Sequence, residues 1–355
     1  MGKQKHPPHI GRSNQVTGNL GNQVGTGMRL RAAISACSVA VALLLQGCGG
    51  GEGASVSRPV SIERDISPAT IDSTVTSSTE PNVSINPDAG VAAANKLFVF
   101  LPGTSGVPSM YRQILRSGAQ NGYHVIGINY PNPTPVGGLC NASADPDCFW
   151  NVRREIITGT DSSPLVVIGP SDSIIGRLTK ALMYMRTNFP NEGWGQYLTA
   201  DTPDWSRITV SGHSQGGGHA GVMAKLFALD RVVYFASPAD FSSHFNAPAT
   251  WLTKANATPV SRQFGFTHLR DPLVPYSELS AIWRNLGLAE LGSAISADGT
   301  AAPFSNSHML TTNAAPKTGG ISVSPLHGAT VLDAATPSAA DGTPLFAPIW
   351  AFLCF

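Results

Sequence analysis

The chain predicts an α/β fold with a doubly wound, mostly parallel sheet and no large cap domain, and three observations carry that prediction. Apolar runs of strand length recur along the chain, and they are continuous, as in strands buried on both faces. Segments with helical periodicity separate them. Composition agrees, since 355 residues at 42% hydrophobic and 13% charged suffice for one large domain and argue against disorder over most of the length.

The elements follow in order. Leu97-Phe-Val-Phe-Leu101 reads as a buried strand ending in Pro102-Gly103-Thr104-Ser105-Gly106. Tyr111, Ile114, Leu115 and Gly118 share one face of a helix, and residues 125–129 form the next strand. Ile175, Leu178, Leu182 and Met185 mark a helix leading to the strand Ile208-Thr209-Val210. Residues 232–236, 264–267 and 308–312 supply three more strands, and the segment 237–260 is too short for a large cap.

The N-terminal region carries no fold signal of this kind. Residues 28–48 combine Arg29 and Arg31 with an apolar core too short to span a bilayer comfortably, which reads as a secretion signal. Residues 1–27 precede it as a long leader, so residues 1–48 are leader plus signal peptide. Residues 49–91, rich in Gly, Ser, Thr and Pro, read as a flexible tether, with 60–71 a possible edge strand. The folded domain is assigned to 92–355.

Charge excludes one class of partner. Five of the 23 basic residues precede position 48, where there is no acid, so the remainder holds 18 basic against 22 acidic residues, a net of −4. No basic cluster points to nucleic acid. Of the five cysteines, Cys37 and Cys48 fall in the signal segment, and Cys140 and Cys148 bracket a short polar loop that a disulfide would close in an oxidising compartment.

The densest chemical signal is Gly212-His213-Ser214-Gln215-Gly216, between the β-branched run Ile208–Val210 and a helical face of Ala220, Met223, Ala224 and Phe227. A serine on a strained strand-to-helix turn, flanked by glycines that let the backbone pass closely, is a G-x-S-x-G nucleophile elbow. His213 and His219 also invite a metal reading, but a six-residue spacing does not place both on one helix face. Lining the elbow is the simpler role, and no metal or cofactor is called for.

With this elbow and the Pro102-Gly103-Thr104 loop upstream of it, residues 92–355 resemble the α/β-hydrolase superfamily, and the Gly-His-Ser-Gln-Gly-Gly form is similar to bacterial lipases and carboxylesterases. The resemblance implies a Ser, acid, His order along the chain, with Ser214 as nucleophile. Asp271, after the strand 264–267, is the preferred acid, and Asp240, one strand earlier, is the alternative. His327 in Pro325-Leu-His-Gly328 is the preferred base, and His308 is its competitor. Gln215 and Thr104 would supply the two oxyanion donors, with Ser105 next to Thr104. Substrate contacts fall to Ser105, His213, Trp150 and Trp251, since an aromatic rim that includes Phe149 and Phe241 suits an acyl or aryl ester.

The same resemblance implies hydrolysis of a small-molecule ester or lipid through an acyl-enzyme. A thioesterase, an amidase or a non-catalytic binding module on the same fold are the alternatives. Leu45-Gln46-Gly47-Cys48 resembles the lipobox of bacterial lipoproteins, which implies an acylated Cys48 and a lipid-held envelope protein. Ordinary cleavage near Gly49, giving a secreted protein, is the alternative.

Overall fold

Five central parallel strands, buried along nearly their whole length, organise the domain. In this computed structural model, which describes residues 61–318 and 324–355, nine strands form one sheet: β1 Glu63–Ile66, β2 Asn82–Ile85, β3 Leu97–Leu101, β4 His124–Gly127, β5 Ile208–His213, β6 Arg231–Phe235, β7 Gln263–His268, β8 Ile295–Ser296 and β9 Met309–Thr312. Their order across the sheet is β1-β2-β4-β3-β5-β6-β7-β9-β8. Both pairings of β2 are antiparallel and every pairing from β4 onward is parallel. This is the expected α/β architecture with a mostly parallel sheet. The signal segment, Cys37, Cys48 and residues 49–60 lie outside the described residues.

Alternation along each strand divides the core in two. On β3, Leu97, Val99 and Leu101 face one side with Val210, Val232 and Tyr234, while Phe98 and Phe100 face the other with Val233, Phe235 and Phe266. The first side is covered by α2 Cys148–Thr158, α3 Ile174–Asn188, α4 Gln215–Leu226 and α5 Tyr276–Asn285. The second is covered by α1 Arg112–Gln120 and α6 Ala347–Cys354, whose Ile349, Trp350 and Leu353 are buried. Each such side chain contributes about 1.5–3 kcal/mol on burial.

Caps and a staple set the helix ends. Ser173 Oγ accepts the Gly176 N–H at 3.0 Å to start α3, and Gly159 closes α2 in the left-handed region at φ 71°. The anticipated disulfide joins Cys140, at the end of the helical turn Val136–Cys140, to Cys148 at the head of α2, with Cα atoms 5.6 Å apart. Residues 237–260 form a two-residue ribbon, Phe241–Ser242 with Ala247–Pro248, and a short 3-10 turn rather than a cap.

The edge strand anticipated within 60–71 is present as β1, whereas the rest of the expected tether of 49–91 is corrected where β2 joins the sheet. Residues 63–66 and 82–85 are two strands on the sheet edge, and Val83 and Ile85 are fully buried against α1. The alternation of β2 is too short to stand out in a Ser/Thr-rich context, and the Asn129 amide must be paired for it to close: the Asn82 Oδ1 accepts it at 2.7 Å. Ile85→Ala should therefore cost about 2–4 kcal/mol, as for a core position. A urea denaturation midpoint unchanged from wild type would return this segment to the tether.

Candidate active site

The C-terminal ends of the parallel strands share one sheet edge, and the site is built there. β5 ends at His213, Ser214 turns the chain, and α4 begins at Gln215. Ser214 has φ 53° and ψ −115°, a conformation that costs a residue with a Cβ about 1–3 kcal/mol. Its N–H donates to the Phe235 carbonyl at 2.9 Å, which holds the turn onto β6. The flanking glycines are steric necessities: a Cβ on Gly212 would strike the Gly216 backbone, and one on Gly216 would strike the Leu101 carbonyl at the end of β3.

The structure brings Asp271 and His327 together. Asp271 follows β7, and its Oδ1 accepts the Leu273 N–H at 2.9 Å and the Val274 N–H at 3.2 Å. Its Oδ2 lies 2.7 Å from Nδ1 of His327, in the helical turn Pro325–Gly328, and both side chains are buried. A carboxylate only accepts, so Nδ1 carries the proton and Nε2 is the basic nitrogen. Ser214 and His327 line one cavity of about 870 Å³, with Met110, Val136, Leu273, Val274 and Leu332 among its apolar walls.

Backbone amides of the loop after β3 sort themselves by what they already bond. Gly103 N–H donates to Tyr111 Oη at 3.2 Å, Ser105 N–H to the Asn132 carbonyl at 3.0 Å, and Gly106 N–H to the Gly103 carbonyl at 2.9 Å. Among the described residues, the Thr104 amide has no such acceptor, and Thr104 Oγ1 donates to Gln215 Oε1 at 2.7 Å. The Gln215 amide, first in α4, has no acceptor inside its own helix. Both expected oxyanion donors thus sit in residues tied to each other beside Ser214, whereas Ser105 has its amide occupied.

The alternatives fall elsewhere. Asp240 is buried with both carboxylate oxygens engaged, by Arg153 and by Trp251 Nε1 at 2.7 Å, and it bonds no histidine. His308 stacks on Phe264 with ring centroids 4.2 Å apart, and its Nδ1 bonds the Gln263 carbonyl at 2.8 Å. It precedes β9, at the opposite edge of the sheet from Ser214 and three strands over, about 14 Å at the usual strand spacing.

Two of the expected substrate contacts are corrected as well. Trp251 is fully buried under Asp240, and Trp150 packs against the core with Lys254 Nζ 5.1 Å above its ring; neither lines the cavity. Their aromatic bulk is used for the core, since α2 and the 237–260 segment must close over the sheet. Ser105 and His213 do line the cavity. His219 has different surroundings from His213, edge-on to Tyr130 at 5.3 Å with neither ring nitrogen hydrogen-bonded.

Four contributors escaped the sequence reading. Asn132 Nδ2 donates to the Gly103 and Gly106 carbonyls at 2.8 and 2.9 Å, fixing the loop's curvature. Arg153 Nη1 donates to the Gln215 carbonyl at 3.0 Å and clamps the first turn of α4. Tyr111 bonds His213 Nδ1 at 3.0 Å. Asp333 faces the cavity while its Oδ1 accepts the Gln113 N–H at the head of α1, and burial pushes its carboxyl up to about 6. Of the four, only Asn132, isolated between Pro131 and Pro133, carries a local sequence signal that could have singled it out. No protein-family model matches the chain, and no curated protein sequence matches it either.

Two outcomes follow from these contacts. Asp240→Asn leaves the Arg153 guanidinium buried without its counter-charge, and should destabilise the fold by about 3–5 kcal/mol. A melting temperature equal to wild type would show the pair to be dispensable. Burial holds His213 at about 3 and His219 well below the ordinary imidazole value, so both are neutral in the fold. The unfolded chain protonates them near ~6.5, so their stability contribution is complete above that pH and is lost as pH falls below it. Each should cost about 2 kcal/mol between pH 6.5 and 5. Urea midpoints should show the fall, and His219→Leu should lessen it.

Proposed function

We propose that this protein is a serine hydrolase that cleaves carboxylic esters through an acyl-enzyme, with an α/β-hydrolase fold and the triad Ser214, His327 and Asp271. The observation that carries the reading is a serine at positive φ on a strand-to-helix turn that shares one cavity with a histidine bonded through Nδ1 to a buried carboxylate. The order of these three residues along the chain, and their place at the C-terminal sheet edge, support it further.

In this reading the Ser214 hydroxyl attacks the ester carbonyl as His327 Nε2 takes its proton. The carbonyl oxygen gains the charge and is met by the Gln215 and Thr104 amides. Collapse expels the alcohol, which takes the proton from His327, and leaves Ser214 acylated. Water then attacks with the same base, releasing the acid and restoring the serine. Asp271, held by two backbone amides, keeps the imidazole in the Nε2-basic tautomer. The apolar walls suit an apolar acyl or aryl group. Export to an oxidising compartment, with lipid on Cys48, belongs to the same proposal and is supported by the Cys140–Cys148 disulfide.

A fluorophosphonate probe and p-nitrophenyl esters of increasing acyl length test the proposal. Wild type should label at Ser214 and turn over ester. Ser214→Ala should lose about six orders of magnitude in kcat, His327→Ala nearly as much, and Asp271→Asn about four. A folded wild-type protein that neither labels nor hydrolyses would instead be a binding module on this fold.

A further inference from the structure

We propose that Tyr111 and His213 are positioning residues, joining the loop that carries Thr104 to the backbone of His327 by one continuous hydrogen-bond chain that passes beside Ser214. The inference rests on the serine-hydrolase reading above.

The chain has only one possible polarity. His213 Nε2 lies 3.0 Å from the His327 carbonyl oxygen, which can only accept, so Nε2 carries the hydrogen. His213 is buried and neutral, so its Nδ1 must be an acceptor, and the Tyr111 hydroxyl at 3.0 Å must donate to it. That hydroxyl in turn accepts the Gly103 N–H at 3.2 Å. Burial pushes the Tyr111 phenol up, so it remains a donor throughout the working pH range. Every donor and acceptor in the series is used once.

Its two ends are the parts the chemistry requires in register. Gly103 is the residue before Thr104, the proposed oxyanion donor, and His327 is the proposed base. His213 itself immediately precedes Ser214. The fit is tight: a Cβ on Gly103 would lie 3.0 Å from His213 Nδ1, so the loop rests on the imidazole without slack. The rings of His213 and His327 are 4.7 Å apart, which adds van der Waals contact to the carbonyl bond. A displacement of about 1 Å at such a site is enough to cost about a hundredfold in rate.

Tyr111→Phe isolates this role, because the ring still packs on Phe100 at 4.8 Å while only the oxygen is lost. On p-nitrophenyl butyrate, kcat should fall about tenfold to a hundredfold, with KM within about twofold of wild type. His213→Leu should fall at least as far. His213→Gln, whose amide can still donate to the His327 carbonyl, should recover part of the loss. Nitrogen-15 spectra of the wild-type imidazoles should show His213 as the Nε2–H tautomer.

An unimpaired kcat in Tyr111→Phe, a rise in KM alone, or an Nδ1–H tautomer at His213 would each overturn the inference. The two readings fail differently. Wild-type protein inert to fluorophosphonate removes the hydrolase reading and this inference with it, whereas reactive wild type with an unimpaired Tyr111→Phe removes the inference only.

Discussion

Burial of the central strands on both faces is the constraint from which the rest of the molecule follows. Phe98 and Phe100 point to one side of β3 while Leu97, Val99 and Leu101 point to the other, so neither face can be left to solvent. Covering both requires helices between successive parallel strands, and each crossover returns the chain to the same starting edge. The turns that follow β3, β5, β6 and β7 therefore gather at the opposite edge. That edge holds Thr104, Ser214, Asp240 and Asp271, residues scattered over more than 160 positions of sequence.

Strain at Ser214 is tolerable only because its surroundings are over-determined. The turn is pinned to β6 by its own amide, to β3 by the contact that forbids a Cβ on Gly216, and to α2 by Arg153. Arg153 can be buried there because Asp240 neutralises it, and Trp251 Nε1 donates a further hydrogen bond to the same carboxylate. This accounts for a charged cluster beneath the site that touches no histidine. The disulfide lies in the same layer, fastening the cavity wall around Val136 to the helix that carries Arg153.

Much of this was legible before any coordinates. Leu97–Leu101, the Ser214 turn and the helical face of α3 announced themselves because each signal is local: continuous apolar runs, a glycine-flanked serine, a 3.6-residue period. The Asp271 and His327 assignments followed from order along the chain, and the structure places those two, not Asp240 and His308, in contact. The edge strand at 82–85 was harder to read than the one anticipated within 60–71, since four residues among serines and threonines give no clear alternation. Trp150 and Trp251 were misplaced for a related reason. An aromatic residue after a strand looks the same in a one-dimensional pattern whether it closes a core or lines a cavity.

The sequence by itself determined the α/β class, the position of the serine turn and the pairing of Cys140 with Cys148, because backbone geometry and close neighbours along the chain suffice for each. Only the tertiary structure decided which carboxylate meets which histidine, which loop amide is left without an acceptor, and how Tyr111 and His213 connect the two. Those facts depend on distances across the sheet edge between residues up to 224 positions apart, from Gly103 to His327. They are set by which hydrogen-bonding groups remain unpaired once both faces of the sheet are covered, a quantity that no local pattern of residues contains.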